Sequence, residues 1–276
     1  MLLAVSHHII RNAHIAMSLI LSKDAAIYYE EYGSGEPLIL LPGLLGTIET
    51  HWRRFIGEFA AHFHTIAVDL RGHGKTNNPS GTLRLQTFVD DLHSLFETLQ
   101  IGHARICGYS LGGYIGLLYG LQHPGRVCAL IMHGTKFYWE EKTAQTAAGE
   151  LNPDVIMSKS PVWGQMLQEQ HSRGNGNDGW QTLLQASSEF ILTMPANGIT
   201  AEPASLLDFP VMVSLATNDE LIPREEAEQL VSALPGATLS IVENARHAMQ
   251  TVPKQQFVEQ VVSFFNSIHG TKKKYN

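Results

Sequence analysis

The chain has 276 residues, with 19 Lys and Arg against 26 Asp and Glu, a formal net charge of -7. That balance excludes nucleic acid as the main partner, because neutralising phosphates needs a basic face. Apolar residues are 44% and charged residues 16%, enough to bury the core of one large α/β domain or two small ones.

The first stretch, "MLLAVSHHIIRNAHIA", is apolar but interrupted by His7, His8, Arg11 and His14. It lacks a basic opening, a clean apolar middle and a small-residue cleavage site, so it does not read as a secretory signal. Met17 is the expected natural start, which makes residues 1–16 a dispensable extension. "MSLILSKDAAIYYEEYGSGEP" then reads as a strand, a turn and a second strand. From residue 36 onward strands and helices alternate. "PLILLPG" (37–43) is a buried strand ending in a Pro-Gly loop, and "HTIAVDL" (64–70) is another, followed by the turn "RGHGKTNNPSG". Leu85, Phe88, Val89, Leu92, Leu95, Phe96 and Leu99 fall on one face at helical spacing. "ARICGY" (104–109) is a strand with "LGGYIGLLYGLQHP" as its following helix, and "RVCALIMHG" (126–134) is the next strand.

Residues 135–207 break the rhythm: Phe137, Tyr138 and Trp139 stand in a row, Trp163 and Trp180 follow, and no buried strand is visible. The stretch reads as a helical insert of the kind that forms lids or binding elements. "FPVMVSLAT" (209–217), a helix over 223–234, "ATLSIVEN" (237–244) and a helix over 253–267 complete the series. Lys272, Lys273 and Lys274 form a basic tail (271–276) that reads as solvated chain. Alternation of this kind implies right-handed crossovers and a mostly parallel sheet covered on both faces. No apolar run approaches the roughly 18 residues that span a bilayer. Cys107 and Cys128 make neither a disulfide framework nor a zinc pattern, and read as reduced core thiols of a cytoplasmic protein.

Chemistry concentrates at a few strand ends. Gly-x-Ser-x-Gly is weak alone, but "GYSLGG" lies after a strand and before a helix, where a strained turn exposes a nucleophile. Gly108 and Gly112 remove side chains that would clash around Ser110, and the helix from Leu111 turns its free N–H groups toward the site. A serine hydroxyl needs a base, and the base needs an orienting group. His247 in "ENARHAMQ" is the candidate base and Asp219 in "ATNDELIP" the candidate acid. Each follows a strand, on the edge where open parallel sheets place their chemistry. His133 and His73 are alternatives for the base, Glu220 and Asp208 for the acid. In "LPGLLGT" (41–47) the Leu44 amide is the expected oxyanion donor, with the Leu111 amide as the second.

Taken together, "LPGLLG", "VDLRGHGKT", "GYSLGG", "ATNDELIP" and "NARHAMQ" resemble the α/β-hydrolase fold family, whose serine turn takes this form. The resemblance implies an α/β fold with a mostly parallel eight-stranded sheet, a Ser-Asp-His triad and a helical cap over the site. The core would comprise 17–134 and 208–270 and the cap 135–207. The serine at the turn sets the chain apart from members with aspartate there, the dehalogenases and epoxide hydrolases. The expected activity is cleavage of a small, largely apolar carboxylic ester or thioester through an acyl-enzyme, with Trp163 and Trp180 binding the substrate. C–C bond hydrolysis, a lyase or a perhydrolase would use the same triad. A ligand-binding or signalling protein with slow or no turnover is the alternative from another class. No metal or organic cofactor is implied, and no feature specifies an oligomer.

Overall fold

The computed structural model describes residues 16–200 and 206–268. Residues 1–15 of the supposed extension and the basic tail 271–276 lie outside them. Eight strands form one sheet: β1 (Ala16–Ser22), β2 (Ala25–Tyr32), β3 (Pro37–Leu41), β4 (His64–Val68), β5 (Ala104–Tyr109), β6 (Val127–His133), β7 (Val211–Asn218) and β8 (Thr238–Arg246). Their order is β1-β2-β4-β3-β5-β6-β7-β8. β2 runs antiparallel to both β1 and β4, and every other neighbouring pair is parallel.

The central strands are apolar without alternation because both faces are covered. Ile39, Leu41, Ile106, Leu130 and Met132 pack on one side. Leu38, Leu40, Cys107, Ala129 and Ile131 pack on the other. α2 (Leu85–Thr98) lays Phe88, Val89, Leu92, Leu95 and Phe96 on the first side. α1 (Arg53–Phe59) and the C-terminal helix (Lys254–Ser267) cover the second with Phe55, Phe59, Phe257 and Phe265. α1 has no counterpart in the sequence reading, which left 44–63 without a helix. Its signal is there: Ile48, Trp52, Phe55, Ile56 and Phe59 recur at helical spacing and are buried. A π-type turn, Ile48–Trp52, leads into it, closed by Thr47 and Thr50, whose side chains each accept the other's amide hydrogen.

From β3 the chain crosses to β4 on one side and returns to β5 on the other. Open α/β sheets offer a crevice at such a switch point, beyond the strands' carboxyl ends. The loop after β3 and the turn after β5 both open there. The turn after β4 braces the first of them: Asp69 accepts from the amides of Ile48 (2.8 Å) and Lys75 (2.9 Å). Four helices lie between β6 and β7 among the described residues: α4 (Glu141–Glu150), α5 (Pro153–Lys159), α6 (Pro161–Asn175) and α7 (Gly179–Asn197). α8 (Arg224–Ala233) follows β7, and the C-terminal helix is α9. Cys107 and Cys128 are free. Among the described residues no helix is long and apolar enough to cross a membrane.

α3 (Leu111–Gln122) crosses β5 so closely that a Cβ on Gly108 would overlap the backbone of Gly112 and Gly113. One on Gly112 would overlap the Leu41 carbonyl. Backbone cannot step aside as a side chain can, so Gly112→Ala is expected to destabilise the fold by at least about 1–3 kcal/mol. The urea midpoint should fall with its slope unchanged; an unmoved midpoint would contradict the close crossing.

Candidate active site

Ser110 links β5 to α3 with φ 50° and ψ −115°, a strained backbone for a residue with a Cβ. Four hydrogen bonds hold it there. The Ser110 amide donates to the His133 carbonyl (2.8 Å), and the Ser110 carbonyl accepts from the amides of Gly113 (3.1 Å) and Tyr114 (3.4 Å) and from the Thr135 hydroxyl (3.0 Å). Leu111 is the first residue of α3, so its amide has no partner within the helix. The loop after β3 lies against the serine: a Cβ added to Gly43 would sit 3.0 Å from Ser110 Cβ. Leu44 is the next residue of that loop.

Asp219 follows β7 and His247 follows β8, and the two are brought together. His247 Nδ1–H donates to the Asp219 carboxylate, with Oδ2 at 3.0 Å and Oδ1 at 3.1 Å. Asp219 Oδ1 also accepts from the amides of Leu221 and Ile222, each at 3.0 Å. The Asp219 side chain is only 1% exposed, so the carboxylate is fixed by backbone as well as by the ring. The Tyr109 hydroxyl donates to the His247 carbonyl at 2.9 Å and steadies the loop that carries the base. Ser110 and His247 line one cavity of about 700 Å³, together with Leu44 and Leu111. Ser110 Oγ has no hydrogen bond among the described residues, so what the fold supplies is a paired Asp219–His247 and a free hydroxyl facing one space.

The alternatives fall elsewhere. His133 is buried beneath the site, 2.9 Å from Ser214 Oγ, and burial pushes its pKa down to about 3. His73 is buried in the turn after β4, where its Nδ1–H donates to the Arg71 carbonyl (2.9 Å); burial also takes it to about 3. Glu220 lines the cavity but accepts the backbone N–H of His247 (3.1 Å) rather than the ring's hydrogen. Asp208 is exposed and precedes β7, at the end of the strand away from the site.

Of the two tryptophans expected to meet substrate, Trp163 lines the cavity. Trp180 does not, which corrects the sequence reading. It is 5% exposed and packs with Ile156, Leu167 and Leu184, between helices. Trp163→Ala is therefore expected to change the relative rates of short and bulky acyl groups. Trp180→Ala should instead lower stability by about 3–5 kcal/mol with the rate ratio unmoved. A shifted ratio in Trp180→Ala, with the Trp163→Ala ratio unmoved, would reverse the assignment.

Sequence reasoning did not single out His51 and Tyr109, which also line the cavity: His51 lies outside the motifs, and Tyr109, inside "GYSLGG", reads from sequence only as the last residue of the strand before Ser110. Lys136 reaches the cavity but is paired: Glu226 on α8 holds its ammonium at 2.8 Å and accepts the amides of Phe137 (2.9 Å) and Tyr138 (3.0 Å). Among the described residues no group of His, Cys, Asp and Glu is placed to hold a metal ion.

Comparison with known proteins agrees with this architecture. A model of the alpha/beta hydrolase fold matches residues 36–197. The 3-oxoadipate enol-lactonase 2 of Acinetobacter baylyi is 24% identical, over 92% of this chain and 96% of that protein. The (E)-2-((N-methylformamido)methylene)succinate hydrolase of the same organism is 27% identical, over 87% and 95%. Among solved structures, the 2-hydroxy-6-oxo-6-phenylhexa-2,4-dienoate hydrolase of Rhodococcus sp. strain RHA1 superposes with a TM-score of 0.75 at 17% identity, over 92% of this chain and 99% of that one.

Proposed function

This chain belongs to the alpha/beta hydrolase fold family, and from that premise we propose that it is a serine hydrolase that cleaves a small, largely apolar carboxylic ester or thioester through an acyl-enzyme. One observation carries the reading: Ser110 on its strained turn shares a cavity with a His247 ring already held by Asp219. With Nδ1–H donated to Asp219, the lone pair of Nε2 is left to take the Ser110 proton as Oγ attacks the carbonyl carbon. The Leu44 and Leu111 amides hold the oxyanion. When the tetrahedral intermediate collapses, His247 returns the proton to the departing alcohol or thiol. Water, activated by the same ring, then attacks the acyl-Ser110 ester and frees the acid.

The substrate class follows from the walls. Trp139, Trp163, Phe190, Ile191 and Met194 face the cavity from the segment between β6 and β7, which we read as a cap over the site; apolar walls of this kind suit an acyl or aryl group. Relatives named as an enol-lactonase and a succinate-derivative hydrolase support hydrolysis of a small molecule. A cytoplasmic location belongs to the same reading, supported by the two free thiols.

A substrate panel tests it. Aryl esters and acyl thioesters should turn over repeatedly, and a 1,3-diketone or vinylogous diketone should be cleaved far more slowly. Cleavage of the C–C substrates alone would replace the esterase reading with C–C hydrolysis. Stoichiometric binding of substrates with no turnover would point to a ligand-binding protein.

A further inference from the structure

His51 stands in the π-type turn that follows the β3 loop, and its ring lines the cavity beside Ser110 and His247. The ring is fixed in place. Its Nδ1 accepts the Gly43 amide hydrogen at 3.2 Å, its plane meets Tyr109 edge-on at 4.7 Å between centroids, and Gly46 leaves the space it fills. An imidazole nitrogen that accepts an amide hydrogen carries none itself. Burial and the nearby His247 and His171 rings hold the His51 pKa below the usual imidazole range, so the ring is neutral. Its one hydrogen is then on Nε2. That donor has no hydrogen-bond partner among the described residues. Through Gly43 the same loop lies against Ser110, and the His51 ring and the serine line one cavity.

We propose that His51 Nε2–H binds an acceptor oxygen of the acyl chain close to the scissile carbonyl, so that the enzyme selects oxo- or alkoxy-acyl groups over their hydrocarbon counterparts. The inference rests on the reading of Ser110 as nucleophile and narrows its substrate class. Once substrate fills the cavity, a donor left without an acceptor penalises every substrate that lacks one, which makes His51 a determinant of specificity.

The test uses two acyl chains of equal length, p-nitrophenyl methoxyacetate and p-nitrophenyl butyrate, which differ by an ether oxygen in place of a methylene. The ratio of their kcat/KM values is compared between the unmodified enzyme and two variants. His51→Asn keeps an acceptor for the Gly43 amide and lacks the distal donor; His51→Gln offers an N–H near the position of Nε2 and gives up the acceptor. In His51→Asn the methoxyacetate preference should fall about 3- to 10-fold, the worth of one hydrogen bond, and in His51→Gln it should be largely retained. The rate at which a fluorophosphonate labels Ser110 is measured in each variant to separate a loss of acyl selectivity from a loss of the nucleophile's reactivity. An unchanged ratio in His51→Asn overturns the proposal and leaves His51 as a prop for the loop. An equal loss on both esters with slowed labelling also overturns it. Failure of the unmodified enzyme to label at Ser110 would instead overturn the serine-hydrolase reading and the inference built on it.

Discussion

Replacing Asp219 by Asn is expected to lower kcat about 10³- to 10⁴-fold without unfolding the protein. Oδ1 would keep its bonds to the Leu221 and Ile222 amides, so the loop after β7 should hold its shape. The new amide group would face His247 Nδ1 as a donor. The ring must then accept at Nδ1 and carry its hydrogen on Nε2, where it can no longer take the serine proton. His247→Ala removes the base outright and should match Ser110→Ala in severity, because groups that act as one unit give similar, non-additive losses. Glu220→Gln is the control. Its carboxylate touches the His247 backbone N–H, which a glutamine oxygen still accepts, so kcat should change less than about 10-fold. Circular dichroism and urea midpoints check that each variant is folded. If Glu220→Gln cost as much as Asp219→Asn, the acid would be wrongly assigned.

Stability should fall steeply between pH 6.5 and 4, beginning above the range where most carboxylates titrate. His73, His133 and His171 are almost wholly buried, and desolvation takes them to about 3, 3 and 4. In the unfolded chain each returns to about 6.5. Their folded values are depressed, so the stability they lend is complete above pH 6.5 and is lost as pH falls, when only the unfolded chain takes up protons. Each contributes about 1.4 kcal/mol per pH unit in that window. Asp69 opposes them. Burial raises it to about 6, so below pH 6 the folded form binds one proton that the unfolded chain does not take until about 3.9. The net fall from these four groups is about 3 kcal/mol per pH unit, roughly 7 kcal/mol by pH 4 and so a large part of a typical domain stability of about 5–15 kcal/mol. His171 shows why protonation is resisted. Its Nδ1 accepts the Gly74 amide (2.9 Å) while Nε2–H donates to the Leu45 carbonyl (3.1 Å), so a second proton breaks the first bond. Urea midpoints at pH 7.5, 6 and 5 measure the slope. A midpoint flat across that range would contradict the burial of these rings.

The parts of the site legible in the sequence are those whose geometry is local. The turn at Ser110 is written into one strand, two glycines and one helix, and β5 spans Ala104–Tyr109 as the apolar run suggests. Asp219 and His247 are readable because parallel strands end on one edge, so a residue just past such a strand has few places to be. What depends on packing between distant elements was not readable. Trp163 and Trp180 sit on helical segments of similar composition, and which faces the cavity is decided by how α6 and α7 cross. His51 lies in a stretch to which the sequence assigns no element; its placement depends on the Gly43 amide and on Tyr109, 58 positions away in the chain. His133 and His73 lie near strand termini as His247 does, and what separates them is their burial and their partners, Ser214 and the Arg71 carbonyl rather than a carboxylate.

The most direct measurement is mass-spectrometric mapping of the adduct formed with a fluorophosphonate. The account predicts one adduct per chain, on Ser110, formed much more slowly in His247→Ala and absent in Ser110→Ala, which should remain folded and lose ester turnover. An adduct on another residue, or ester turnover that survives Ser110→Ala, would contradict it.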